Sequence, residues 1–196
     1  MRKADIQRHT RETQIELSLN LDGTGKHDLR SGSGFLDHML ELFTVHGRFD
    51  LTLECHGDTH VDLHHTVEDI GITLGDAFSE ALGNKRGIRR YGSNILPMDE
   101  VLMLCAVDLS GRCHLNFDVS LSREKVGDFD TELVKEFSLA LCRHLRATVH
   151  IKQMAGENCH HIIEAIFKAL GRSLGAATDI DRKYFQEIPS TKGILV

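Results

Sequence analysis

The chain has no tryptophan, two tyrosines and two prolines. Nothing in it approaches the roughly 18 consecutive apolar residues of a membrane-spanning helix. Its opening, MRKADIQRHTRET, lacks the apolar centre of a secretory signal. Cationic excess is missing too: the formal net charge is -6. That balance provides no global field for nucleic acid or an anionic membrane, so neither is an expected partner. Any anion must be held by a local cluster of cations. The five cysteines, Cys55, Cys105, Cys113, Cys142 and Cys159, form no CxxC pair and are odd in number. Free thiols in a reducing, cytoplasmic setting are expected.

Histidine is abundant instead, with 13 in 196 residues. The length suits one domain with a sizeable core, or two small fused halves. No low-complexity linker divides it. Gln14–Asp22, QIELSLNLD, alternates like a half-buried strand, and Phe49–Cys55, FDLTLEC, alternates again. Phe35–Val45 carries apolar residues at helical spacing, and Thr66–Leu82 predicts a long helix ended by Gly83. Strands are expected at Val101–Leu109, Leu115–Val119 and Ala147–Gln153. Helices are expected at Glu132–His144 and at Cys159–Leu174, the second ended by Gly175.

The chain also repeats itself. FDLTLECHGDTHVDLHHTVEDIGITLG lies without a gap over LRATVHIKQMAGENCHHIIEAIFKALG, a shift of 96 residues (160 − 64). Thr52 falls on Thr148, His64 on His160, His65 on His161, Glu68 on Glu164 and Gly75 on Gly171. Polar residues kept while their surroundings diverge point to a duplicated unit whose polar residues have a chemical task. The expected architecture is a single α/β (α+β) domain over residues 1–196, built from homologous halves of approximately 1–92 and 93–196.

Each HHxxE starts a helix. In each motif the glutamate is three residues from one histidine and four from the other, so both pairs can share a face. The adjacent histidines diverge by about 100° around the axis and suit two different ions. His38 and Glu136 occupy matching places on the preceding helices. The ligand inventory is therefore His38, His64, His65, Glu68, Glu136, His160, His161 and Glu164, four for each of two ions. Imidazole and carboxylate without thiolate suit manganese, iron or zinc, with positions left open for catalysis.

DLHHTVEDIGI and CHHIIEAIFKALGRSL resemble the two metal motifs of the imidazoleglycerol-phosphate dehydratase family. GSGFLDHMLELFTVHGRFDL, RRYGS, VDLSGR and PSTKG resemble that family in the same order, from Arg11 to Gly193. No phosphatase domain accompanies them, as in the monofunctional form. The resemblance implies two four-stranded sheets with helices packed against them. It also implies two Mn2+ per active site, sites between subunits, and an assembly of 24 chains. One departure stands out: several members carry histidine where this chain has Glu136, although a carboxylate oxygen also suits manganese.

The implied reaction is a hydro-lyase step of histidine biosynthesis, the loss of water from imidazoleglycerol phosphate to give imidazoleacetol phosphate. Two cations on the ring nitrogens would let the ring expel hydroxide and acidify the neighbouring C–H. By resemblance, Glu12 contacts substrate and moves the proton; Asp108 is a second candidate base. Phosphate would be held by Arg90, Arg112, Ser190 and Lys192, helped by His46 and Lys168. Two other readings stay open, a di-metal hydrolase and a metal-storage or metal-sensing protein; the latter needs no phosphate-binding cations.

Overall fold

The structure, a computed structural model, describes residues 2–195; Met1 and Val196 lie outside the described residues. The first half runs β1 (Lys3–His9), β2 (Thr13–Asn20), β3 (His27–Arg30), α1 (Gly34–Gly47), β4 (Asp50–Gly57) and α2 (His64–Leu82). The second repeats that order with β5 (Tyr91–Met98), β6 (Val101–Asp108), β7 (His114–Asp118), α3 (Leu133–Leu145), β10 (Thr148–Ala155) and α4 (Cys159–Thr178). A ribbon of β8 (Lys125–Val126) and β9 (Phe129–Asp130) is inserted before α3. β5 opens at Tyr91 and spans the approximate divide between the halves.

Two four-stranded sheets result, ordered β1-β2-β4-β3 and β5-β6-β10-β7. Each has three antiparallel strands and a fourth, β3 or β7, parallel to its neighbour. Their registers correspond: Ile15 pairs with Cys55, and Cys105 pairs with Ile151. Alternation explains the strands that the sequence marks. Ile15, Leu17 and Leu19 of β2 are buried on one face, as are Met103, Cys105 and Val107 of β6. β1, β3 and β5 escape that signal. β1 buries one hydrophobic residue, Ala4; β3 has four residues; β5 carries Gly92 and Pro97, which suit an edge.

The helices cross-pair between the halves, α1 on α4 and α2 on α3, so one continuous core joins both units. Phe43, Phe49 and Phe78 meet at one place in it, and Phe137 and Phe167 at another. Close approach depends on matched glycines. A Cβ at Gly171 would lie 2.3 Å from the Phe43 carbonyl oxygen, and one at Gly75 would lie 2.9 Å from that of Leu141. Gly175, expected to end its helix, instead lies inside α4. A Cβ there would come within 2.7 Å of the Gly47 carbonyl, so this glycine serves contact, and the helix runs on to Thr178. Among the described residues no helix is long and apolar enough to cross a membrane.

Candidate active site

Both histidine pairs begin their helices, and a side chain two residues before the first histidine fixes each start. Asp62 accepts the His64 amide at 2.7 Å; Asn158 accepts those of His160 and His161 at 2.9 and 3.3 Å. Asp62 and Asn158 are 96 residues apart (158 − 62), so the side-chain bond to the first histidine's amide belongs to the repeat, although only Asn158 is the N-cap of its helix. The adjacent rings diverge alike: centroids 6.2 Å apart at 89° for His64 and His65, and 6.2 Å at 88° for His160 and His161.

Cross-pairing of helices brings His38 of α1 to the start of α4. The ligand atoms of His38, His160 and Glu164 lie within 4.8 Å of one another. His160 Nε2 is 3.4 Å from Glu164, and Phe35 meets the His160 ring edge-on at 5.4 Å. Glu164 is buried, and burial pushes its carboxyl up. The hydrogen bond from Lys168, at 2.5 Å, and the charges of Lys168, His160 and His38 outweigh that and hold it below its ordinary value. Two imidazoles and a carboxylate on rigid helices make a donor set that fits a hard divalent cation such as manganese.

The matching trio does not close in the same way. His64, His65 and Glu68 start α2, and Glu136 occupies the first turn of α3. Among the described residues they form no converging group of three. The eight expected ligands are therefore not gathered around two ions within one chain. His161 belongs to a second cluster, with Asp99 and Glu100 at the β5–β6 turn. Glu100 takes the Nδ1 of His161 at 2.9 Å; this raises the imidazole and holds the Glu100 carboxyl at about 2. His65 is raised by the Asp58 carboxylate, 3.0 Å from its Nδ1, while Glu12 stands 3.8 Å from its Nε2. Glu12 thus reaches a histidine of its own chain, from a largely solvated position.

The anion-binding candidates separate into two places. Arg90, Ser110, Arg112, Ser190, Thr191 and Lys192 line a cavity of about 360 Å³. Arg90 has an αL backbone and binds Asp108 through Nε at 2.7 Å and Nη2 at 3.2 Å, with Nη1 on the Pro189 carbonyl at 2.8 Å. Both oxygens of Asp108, expected as a second candidate base, hold Arg90, which gives the carboxylate an anchoring role. His46 and Lys168 lie elsewhere, on the α1–α4 face. His46 lines a cavity of about 630 Å³ with Arg2, Arg48 and Arg172. Burial lowers its pKa, and the charges of Lys168 and Arg172 lower it further.

Sequence reasoning passed over Asp58, Asp62, Glu100, Ser110 and Asn158. The repeat register contained the signal for Asp62 and Asn158. Asp58 falls on Met154 and Glu100 lies outside the aligned block, so neither left one.

The imidazoleglycerol-phosphate dehydratase family model matches residues 31–174. The imidazoleglycerol-phosphate dehydratase of Hydrogenovibrio crunogenus is 54% identical over 195 residues, covering 100% of both chains. That of Lachnoclostridium phytofermentans is 56% identical, over 98% of this chain and 97% of its own. Among solved structures, the Staphylococcus aureus dehydratase superposes with a TM-score of 0.83 at 45% identity, over 91% of this chain and 99% of its own. The Pyrococcus furiosus dehydratase, solved in complex with (S)-C348, gives 0.84 at 40% identity, over 97% and 100%. With its duplicated sheets, cross-paired helices and HHxxE clusters, the chain belongs to the imidazoleglycerol-phosphate dehydratase family of lyases.

Proposed function

We propose that the chain is a manganese-dependent imidazoleglycerol-phosphate dehydratase, converting D-erythro-imidazoleglycerol phosphate to imidazoleacetol phosphate in histidine biosynthesis. It would act in the cytoplasm, in a homo-oligomer of 24 subunits with active sites between chains. The observation that carries this reading is the convergence of His38, His160 and Glu164 within 4.8 Å, while among the described residues His64, His65, Glu68 and Glu136 form no such group. A donor set left incomplete in one chain is what a shared site requires.

His38, His160, Glu164 and a second chain's His65 would hold one ion. His64, Glu68, Glu136 and another chain's His161 would hold the other. Manganese held by these residues would supply Lewis acidity to the ring nitrogens, favouring a deprotonated ring that can donate electrons toward the carbon as hydroxide leaves with the C–O pair. The chain's own residues do the rest. Glu12, through Oε1 beside His65, takes the proton from the middle carbon of the chain, adjacent to the carbon that loses hydroxide. Arg112 and Lys192 bring charge to the phosphate, Ser190 a hydroxyl, and Arg90 an Asp108-braced guanidinium. His46 and Lys168 would join a phosphate only through the second chain's geometry. The αL backbone of Arg90 and its bond to Pro189 keep the PSTKG segment beside these cations.

The test is turnover of imidazoleglycerol phosphate by protein stripped with chelator and reloaded with Mn2+. Activity that vanishes on stripping and returns with manganese is expected. Undiminished activity in the stripped protein contradicts the metal-dependent reading, and manganese binding without turnover favours a storage role.

A further inference from the structure

The second histidine of each pair is held from outside its own motif. His65 presents Nδ1 to Asp58 Oδ2 at 3.0 Å, and His161 presents Nδ1 to Glu100 Oε2 at 2.9 Å. The two carboxylates come from unrelated places. Asp58 follows β4 in the loop leading to α2, and Glu100 forms the tip between β5 and β6. The repeat does not relate them, yet each meets the same nitrogen of the equivalent histidine. His160, a first histidine, turns Nε2 to the glutamate of its own HHxxE, at 3.4 Å.

Both carboxylates are themselves fixed. The Asp58 amide donates to the Glu12 carbonyl at 3.0 Å, and its carbonyl accepts from Val61 at 2.8 Å. Its Oδ1 is buried with no hydrogen-bond partner, a costly arrangement for a residue that only closes a loop. Glu100 Oε1 accepts the Asn158 backbone N–H at 3.1 Å, so the residue whose side chain caps α4 and the carboxylate that holds His161 are tied together. A neutral imidazole that donates from Nδ1 has its lone pair on Nε2. A carboxylate on the far nitrogen is a recurrent way of orienting a metal-binding histidine and raising its basicity.

We propose that Asp58 and Glu100 are positioning residues, one for each half, that fix His65 and His161 as Nδ1–H tautomers and direct each Nε2 to a divalent cation. This rests on the manganese site proposed above. Asp58 also places Glu12, through the backbone bond, on the Nε2 side of His65, where the cation and the proton-accepting carboxylate must be neighbours. Asp99, Glu100 and His161 also converge within 4.8 Å, so the competing role for Glu100 is direct ligation of a separate ion at the hairpin tip.

Manganese titration of the chelated full-length protein, with free Mn2+ read by electron paramagnetic resonance, separates these roles. Wild type is expected to bind two ions per chain. Asp58→Asn and Glu100→Gln should each weaken one of the two by about 10–100-fold, with assembly size unchanged. Glu100→Asp, which keeps the carboxylate, should restore most of the affinity. In a His65→Ala background Asp58→Asn should cost nothing further, because a positioning residue acts only through the ring it holds; a purely structural role would persist there. Glu100 is largely solvated, so Glu100→Gln serves even if an Asp58 variant fails to fold. Affinities within twofold of wild type, or additive losses in the paired variants, overturn the proposal. So does a third ion in wild type that Glu100→Gln removes. Wild type that binds no manganese defeats instead the metal site on which the proposal rests.

Discussion

Asp108 is spent on Arg90, in a partly buried pair of hydrogen bonds of 2.7 and 3.2 Å. Asp108→Asn should therefore lower stability by about 1–3 kcal/mol, as for other charge-assisted bonds, and raise KM as Arg90 loosens. It should leave kcat far less affected than Glu12→Gln does; a kcat collapse of equal size in both would restore Asp108 as a base. Arg112→Ala and Lys192→Ala should raise the KM for the phosphorylated substrate at least tenfold while metal content per chain stays constant. The cations were legible because they fall in the blocks RRYGS, DLSGR and PSTKG. Their braces were not, since pairing Arg90 with Asp108 requires knowing that β6 ends beside β5. A further carboxylate shows how local amides act. Asp50 accepts the Thr24 amide at 2.8 Å and the Lys26 amide at 3.1 Å, and the Thr24 bond is the main cause of its lowered pKa. A depressed carboxyl stabilises the fold above its unfolded value near 3.8 and loses that contribution as pH falls through the folded value. Asp50→Asn should lower Tm by about 2–4 °C at pH 7, with the gap closing below pH 4. A gap independent of pH would show that charge plays no part.

At the scale of elements, the site depends on how closely helices of opposite halves approach. Gly171 brings α4 against the backbone of α1, where a Cβ would lie 2.3 Å from the Phe43 carbonyl. Gly171→Ala should cost about 1–3 kcal/mol by forcing the helices apart. It should also lower manganese content, because His38 and His160 lie on the separated pair; full metal occupancy in a destabilised variant would uncouple packing from the site. Alternation announced β2 and β4, an apolar run announced β6, β7 and β10 were also expected as strands, and helical periodicity announced α1 to α4 well. It could not announce that Gly175 meets Gly47 across an interface, because a glycine near the end of an apolar helical run looks like a terminator until its neighbour is known. The edge strands β1 and β5 were illegible for a related reason: an edge buries little on either face, so its residues carry weak alternation.

For the whole molecule, the family resemblance implied the two four-stranded sheets, while the 96-residue repeat exposed the duplication and the paired HHxxE clusters. What it left open is where the clusters meet. Repetition within a chain makes an intramolecular site the simplest expectation, yet among the described residues only His38, His160 and Glu164 of the eight ligands converge as a trio within one protomer. Sites shared between copies follow from symmetry rather than from sequence. An inactive His65→Ala chain co-assembled with an inactive His160→Ala chain should regain up to about a quarter of wild-type activity, because one site in four then draws both halves intact. No regain on co-assembly would place the site within a single chain.

The most direct measurement is anomalous diffraction at the manganese edge from crystals of the reloaded protein. The account predicts two manganese peaks per chain. One would lie against His38, His160 and Glu164 and be completed by His65 of an adjoining chain; the other would lie against His64, Glu68 and Glu136. Peaks absent from these donors, or both HHxxE clusters standing isolated in the assembly, would contradict it.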